Sequence, residues 1–309
     1  MTKKILVMGE VLWDKFPNHV VLGGAPFNFA YRLMTLGEQV LLATRLGDDE
    51  LGKKARLRAT ELGMNEVLFQ IDNNRATGTV MVSSDSNNNP DFDIVPDVAY
   101  DYINWTKDLQ NSSKSMDCIG FGTLIQRSIQ SRETLHKLIE HVPAALRFLD
   151  LNLRKKCYSE ENIIFSIENA NILKLNEDEA DFLANMLGAP DKELDHFCAF
   201  MLKEWKLQYI VVTLGKFGVY ARSAEQEAYV PGYNLSTVDT VGAGDAFSAG
   251  FLHRLLADDS IKKACEFGNA LGALTTTTTG GTAIVRQEKI KNILHGHIER
   301  CTHPDFAVG

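Results

Sequence analysis

The sequence predicts an α/β protein: a doubly wound, mainly parallel sheet flanked by helices, with a small second β-sheet inserted in its first third. Three observations carry this. From Met116 onward, short apolar runs alternate with amphipathic stretches, the patterning of right-handed β–α–β crossovers. The chain opens in the same way, with the apolar run Ile5–Gly9. Between these regions, residues 67–71, 79–83 and 92–95 form short alternating runs separated by polar turns, with no helical period among them.

The bulk properties set limits. The 309 residues are 45% hydrophobic, enough for a sizeable core, and are read as a single domain spanning 1–309. The net charge of -8 argues against nucleic acid as a partner, because phosphate backbones select basic surfaces. It leaves room for a small anion bound by local amides. The five cysteines, Cys118, Cys157, Cys198, Cys265 and Cys301, never fall in C-x-x-C spacing and read as reduced thiols. No apolar run is long enough to span a membrane, and MTKKILVMGE lacks a signal-peptide core. The expectation is a cytoplasmic protein with no membrane partner.

The elements follow in order. Ile5–Gly9 reads as a buried strand, and the acidic stretch after it lies near the carboxyl edge of the sheet, where α/β proteins bind ligands. Asp14 there can accept hydrogen bonds from polyol hydroxyls; alone it also reads as a turn residue. The run Leu22-Gly23-Gly24-Ala25-Pro26 leads into a helix that stops before Gly37, with Pro26 in its first turn. Gly23 and Gly24 leave bare backbone, and Asn28 offers both a donor and an acceptor. Val40–Ala43 reads as a strand, Asp48–Glu50 as acidic helix capping, and a helix extends to about Leu62. The runs at 67–71, 79–83 and 92–95, with a turn at 86–91, read as antiparallel strands of a lid. The lid excursions are placed at approximately 11–22 and 67–100.

Regular alternation then takes over, with strands at Met116–Phe121, Leu146–Leu151 and Asn171–Leu175 and helices at Arg127–His141, Ser159–Glu168 and Glu177–Leu187. Asp150, Asn152 and Arg154 would project to one side if their strand persists. Asn176 and Glu179 have the spacing of a helix cap. Tyr209–Leu214 reads as a strand closed by Gly215-Lys216-Phe217-Gly218, which lacks the Walker spacing. A hairpin over 219–230 leads to Asp239-Thr240-Val241-Gly242-Ala243-Gly244-Asp245. The helix that follows has apolar Phe247, Phe251 and Leu255 every fourth residue. Small residues at a helix N-terminus leave unpaired amides at the positive dipole end, an anion hole. A carboxylate there would repel a bound phosphate. Asp245 gains a reason if it is a general base for an attacking hydroxyl; the plainer alternative is a capped turn. Two further helices, Lys262–Thr276 and Gln287–Ile298, complete the chain.

DTVGAGD resembles the C-terminal signature of the PfkB, or ribokinase-like, carbohydrate kinases, and GGAPFNFA resembles their N-terminal signature. With GEVLWD, RLGDDELG and DLNLR, the chain looks most like the fructokinase branch, and the resemblance covers nearly all of it. It implies a ribokinase-like fold with a β-sheet lid and transfer of the γ-phosphate of ATP to a primary hydroxyl, D-fructose giving fructose 6-phosphate. It implies Asp245 as base, Gly242, Ala243 and Gly244 as anion hole, and Arg154 as a contact for phosphate oxygens or a substrate group. Asp14, Gly23, Gly24 and Asn28 would serve the sugar, and Asn176, Thr213, Gly215, Gly218 and Asn269 the nucleotide. Glu179 would act on Mg2+ through water, and carbonyls near Asp239 and Val241 are candidates for a potassium ion. The lid is also a candidate homodimer surface. Alternatives are ribokinase, 2-keto-3-deoxygluconate kinase, or a non-catalytic sugar- or nucleotide-binding regulator on the same fold.

Overall fold

A computed structural model of the chain describes residues 2–84 and 90–307. Two compact units emerge, one of residues 2–145 with 156–159, the other of residues 146–155 with 160–309.

In the first unit, β1 (Lys4–Met8) pairs in parallel with β4 (Gln39–Gly47) and β8 (Cys118–Phe121), and β4 pairs in parallel with β5 (Phe69–Asp72). Ile5, Leu6, Val7 and Met8 are all buried, as expected of a strand covered on both faces. Between β1 and β4 lie β2 (Leu12–Lys15), β3 (Val20–Gly23) and helix α1 (Ala25–Thr35). A separate sheet has the order β3-β2-β6-β7, with β6 at Gly78–Ser84 and β7 at Pro90–Ile94. Helix α2 (Glu50–Glu61) follows β4, and α3 (Lys107–Ser113) and α4 (Ile129–His141) flank β8 in sequence.

Two corrections to the sequence reading arise here. Residues 69–72 belong to the larger parallel sheet beside β4, not to the small one. The small sheet is not wholly antiparallel, since β2 and β6 run parallel, with Asp14 opposite Val80. The excursion at about 11–22 was expected, but not its two strands, β2 and β3. The stretch Leu12–Gly23 has too few residues per strand to display a period of two, and only the partner strand reveals it. Part of the expected turn at 86–91, residues 86–89, lies outside the described residues.

Asp49 joins α2 to the start of β6. Its carboxylate caps α2 by accepting from the Gly52 N–H at 2.7 Å. It also accepts from the Thr77 N–H at 2.8 Å and the Thr77 hydroxyl at 2.7 Å. Burial pushes the Asp49 carboxyl up, but these donors outweigh it and hold it below its ordinary value of 3.8.

The second unit has the strand order β13-β12-β11-β10-β9. β9 (Leu146–Asp150), β10 (Ile172–Asn176) and β11 (Tyr209–Thr213) are parallel; β12 (Val219–Ser223) and β13 (Glu227–Val230) form an antiparallel hairpin on β11. The crossovers are α5 (Glu160–Glu168), then α6 (Glu177–Met186) with α7 (Leu194–Glu204). Two-residue strands β14 (Gly232–Tyr233) and β15 (Arg300–Cys301) pair with each other. Helices α8 (Ala243–Leu255) and α9 (Ile261–Thr275) precede α10 (Gln287–His295), which ends at Gly296, short of the expected Ile298. Strand β9 also stops early. Asn152 has φ 44°, so the alternation proposed for Asp150, Asn152 and Arg154 does not persist, and Arg154 lies in the following loop.

α8 and α9 touch through glycines. A Cβ on Gly250 would lie 2.9 Å from Gly268 Cα, and one on Gly268 would lie 2.8 Å from the Phe247 carbonyl oxygen. The two backbones therefore meet with no side chain between them.

Gly250→Ala is expected to cost about 1–3 kcal/mol through this overpacking, read from urea unfolding; an unchanged midpoint would show that the helices yield freely. Asp49→Asn should also destabilise the protein at neutral pH, by about 1 kcal/mol, for weakened part-buried hydrogen bonds. Because the folded pKa of Asp49 is depressed, its stabilisation is present above pH 3.8 and is lost as pH falls through the lower folded value. The gap between variant and wild type should therefore narrow in acid.

Candidate active site

The site begins at the N-terminus of α8. Gly242 caps the helix with φ 77°, a left-handed conformation that glycine adopts without strain. A Cβ there would fall 2.4 Å from Gly281 Cα, so the turn is also pressed against a second glycine backbone. The Ala243 N–H donates to the Thr240 carbonyl at 3.2 Å, which closes the turn. Among the described residues, the N–H groups of Gly242 and Gly244 have no protein acceptor. Two of the three amides anticipated as an anion hole are therefore open, and the third is committed to the loop. Asp245 stands in the first turn of α8.

The loop before this helix is pinned by Asp239. One carboxylate oxygen accepts from the Val241 N–H at 2.9 Å and the other from the Gly280 N–H at 2.9 Å. The 239–241 and 280–281 segments are thereby joined, and the main-chain carbonyls near Asp239 and Val241 are of the donor type suited to a hard ion.

Lys174 of β10 was missed by the sequence reading. Its side chain is 9% exposed, and its Nζ donates to Asp150 Oδ1 at 3.1 Å. Asp150 Oδ2 accepts from the Ser248 hydroxyl of α8 at 3.0 Å. The Lys174 Nζ lies 3.4 Å from the position of a Cβ on Gly244. Burial works against this ammonium, but Asp150, Glu179 and Asp245 outweigh it and raise its pKa above the ordinary lysine value. The signal was a single lysine inside the apolar run ILKL, where a strand covered on both faces has no water to offer it.

Asn176 and Glu179 form a reciprocal capping box on α6: Asn176 Oδ1 accepts from the Glu179 N–H at 2.8 Å, and Glu179 Oε2 accepts from the Asn176 N–H at 2.9 Å. Glu179 Oε1 accepts from the Leu153 N–H at 2.8 Å. Burial raises the Glu179 carboxyl above the usual glutamate value, and Lys174 and the two backbone donors offset this only in part. With both oxygens engaged and only 5% of the residue exposed, the donor set fits a hard cation approached through water better than direct ligation.

Beside the α8 turn lies a cavity of about 390 Å3. Thr213, Gly215 and Gly218 line it from one side, Ala243 and Gly244 from the α8 end, and Asn269 from α9. Gly215 (φ 54°) has open space around it, whereas Gly218 (φ 98°) is packed with its Cβ position 2.0 Å from the Val230 carbonyl oxygen. The Asn269 amide donates to the Pro231 carbonyl at 2.9 Å. Gly242, Asp245, Arg154 and Asn176 are not among the lining residues. Cys301 of β15 is; it is half-buried, while the other four cysteines are buried. Burial drives the thiols of Cys198 and Cys265 far above their ordinary range.

The four residues expected to serve a sugar lie together in the first unit. Asp14 sits on β2, paired with Val21 of β3. Its Oδ2 is 2.7 Å from the position of a Cβ on Gly23, so a side chain there would push the Asp14 carboxylate aside. Gly24 caps α1 with φ 108°, its Cβ position 2.5 Å from the Glu10 carbonyl oxygen. Asn28, 4% exposed, is one turn further along and donates its backbone N–H to the Gly24 carbonyl at 3.0 Å.

Residues 7–288 match the model of the pfkB family carbohydrate kinases. The uncharacterized sugar kinase PH1459 of Pyrococcus horikoshii is 30% identical over 90% of this chain and 86% of its own. Its structure in complex with ATP superimposes with a TM-score of 0.78, covering 94% of this chain and 99% of that one. Fructokinase-1 of Oryza sativa subsp. japonica is 27% identical over 84% of this chain and 83% of its own. A Xylella fastidiosa fructokinase with bound ATP, 24% identical, has a TM-score of 0.84 over 95% of this chain and 98% of that one, which establishes the shared ribokinase-like α/β fold. Among the described residues, no helix is long and apolar enough to cross a membrane. With a family match running through both units and through each signature loop, the chain belongs to the PfkB family of carbohydrate kinases.

Proposed function

We propose that this carbohydrate kinase is an ATP-dependent fructokinase that converts D-fructose to fructose 6-phosphate. The observation that carries the reading is the first turn of α8. Two unpaired amides, from Gly242 and Gly244, and a carboxylate, Asp245, are set into one helical turn beside a cavity large enough for a nucleotide. The likeness to Fructokinase-1 of rice supports the choice of sugar.

In this reading the cavity takes ATP. Asn269 faces the base, and Thr213, Gly215 and Gly218 border the same space. Asp14 and Asn28 hold the sugar hydroxyls, and bare Gly23 and Gly24 let the sugar approach the backbone. The small sheet is the lid that excludes water from the bound sugar, and its outer face is the homodimer surface. Asp245 accepts the proton of the primary hydroxyl. The alkoxide oxygen then bonds to the γ-phosphorus as the bond to the ADP oxygen breaks. The Gly242 and Gly244 amides, with Arg154, meet the charge spreading over the transferring phosphoryl oxygens, where preorganised donors act most strongly. Magnesium, held through water by Glu179, would neutralise phosphate oxygens when bound, and potassium at the carbonyls of Asp239 and Val241 would stiffen the loop beneath them.

Asp245→Asn is expected to lower kcat by at least about 10²-fold, with nucleotide binding largely kept, because the side chain keeps its size and loses its basicity. A variant that retains its turnover would show that another group takes the proton. Fructose should have a higher kcat/KM than ribose or 2-keto-3-deoxygluconate in a coupled ADP-release assay. Faster turnover of either competitor would replace fructose as the substrate, and a protein that binds ligands without releasing ADP would be a regulator.

A further inference from the structure

A buried cation directly behind the N-terminal turn of a helix calls for an explanation. The dipole is positive at that end and disfavours Lys174 where it stands. Taking the ammonium and its carboxylate out of water costs several kcal/mol per ion even after relaxation, and well-packed apolar side chains at such a pair are often as stable or more so. Stability alone therefore gives weak grounds for the pair.

The geometry points to another use. Lys174 Nζ is held by Asp150 Oδ1, while the other oxygen of the same carboxylate takes the hydroxyl of Ser248. Ser248 is three residues beyond Asp245 on α8, so one carboxylate fixes both the cation and the helix that bears the proposed base. The ammonium comes up against Gly244, a residue without a side chain to shield it, whose N–H is one of the two open amides. Three carboxylates, Asp150, Glu179 and Asp245, act on this one ammonium. An arriving phosphoryl group adds more negative charge.

We propose that Lys174, anchored by Asp150, is a positioning residue for phosphoryl transfer: a buried cation that backs the amide-lined first turn of α8 and strengthens its hold on the charge of the transferring group. The proposal rests on the kinase reading above. Lys174 acts through the turn rather than by touching the sugar. Its removal is felt where charge on the phosphoryl group peaks, in kcat, and little in sugar binding.

The test compares wild type, Lys174→Met, Lys174→Arg and the double variant Asp150→Leu with Lys174→Met, using thermal melting, the KM for fructose and kcat. Lys174→Met should lower kcat by about 10²-fold, the scale of losing one preorganised electrostatic contact, while KM for fructose stays within about threefold. Lys174→Arg should recover part of that loss. The double variant removes the Asp150 carboxylate together with the ammonium that it anchors, so it keeps the test open if Lys174→Met alone does not fold. It should melt near the wild-type temperature and remain as slow as Lys174→Met. Wild-type kcat in either methionine variant, or a loss confined to KM, overturns the proposal. A wild type that phosphorylates no sugar removes the kinase reading and this inference with it, an outcome distinct from an active wild type beside an unaffected variant.

Discussion

The second unit depends on backbone lying directly on backbone. Gly250 and Gly268 bring α8 against α9, Gly242 rests on Gly281, and the Cβ position of Gly272 is 3.1 Å from the Ala243 carbonyl oxygen. Protein interiors are packed as tightly as organic crystals, so replacing any of these hydrogens with a methyl group forces a helix or a loop to move. The N-terminus of α8 thus has its position set by sterics from two sides. Preorganised amides are useful to chemistry only if they do not shift when charge develops in front of them, and this packing supplies that rigidity.

Around this frame, carboxylates do most of the joining. Asp239 ties the 239–241 loop to Gly280, Asp150 ties β9 to β10 and α8, Glu179 ties α6 to the segment after β9, and Asp49 ties α2 to β6. In each case one side chain satisfies two or three donors, at least one of them from a segment distant in sequence. Charge-assisted hydrogen bonds to backbone N–H groups are stronger than neutral ones, so a few such residues can register loops that have no ladder of their own.

Much of this was legible in the sequence. The parallel strands and their crossover helices showed themselves because buried strands read as unbroken apolar runs and the helices as amphipathic stretches. The Asn176 cap and the glycine turn before Asp245 announced themselves by residue type at fixed spacing. What escaped notice depends on partners far along the chain. β2 and β3 are four residues each and become strands only beside β6, and β5 joins β4 rather than the small sheet because of a parallel pairing that its own alternation does not encode. Helix α7 buries only Phe197, Cys198 and Met201, too thin a stripe to stand out. Lys174 was passed over because a lysine in a strand is ordinarily an edge residue; its meaning lies in Asp150 and Ser248, which are brought to it only by the fold. The Ala243 amide was counted as open because its bond to Thr240 belongs to the turn geometry, which spacing does not reveal.

The distribution of sulfur has a practical side. Four of the five thiols are sealed in the interior, two of them held far from ionisation, and the fifth, Cys301, borders the cavity. Only the thiolate reacts readily with electrophiles. An untreated protein therefore carries one address for an alkylating fluorophore, on the wall of the space assigned to the nucleotide. A label attached there would compete for the cavity with any ligand that fills it.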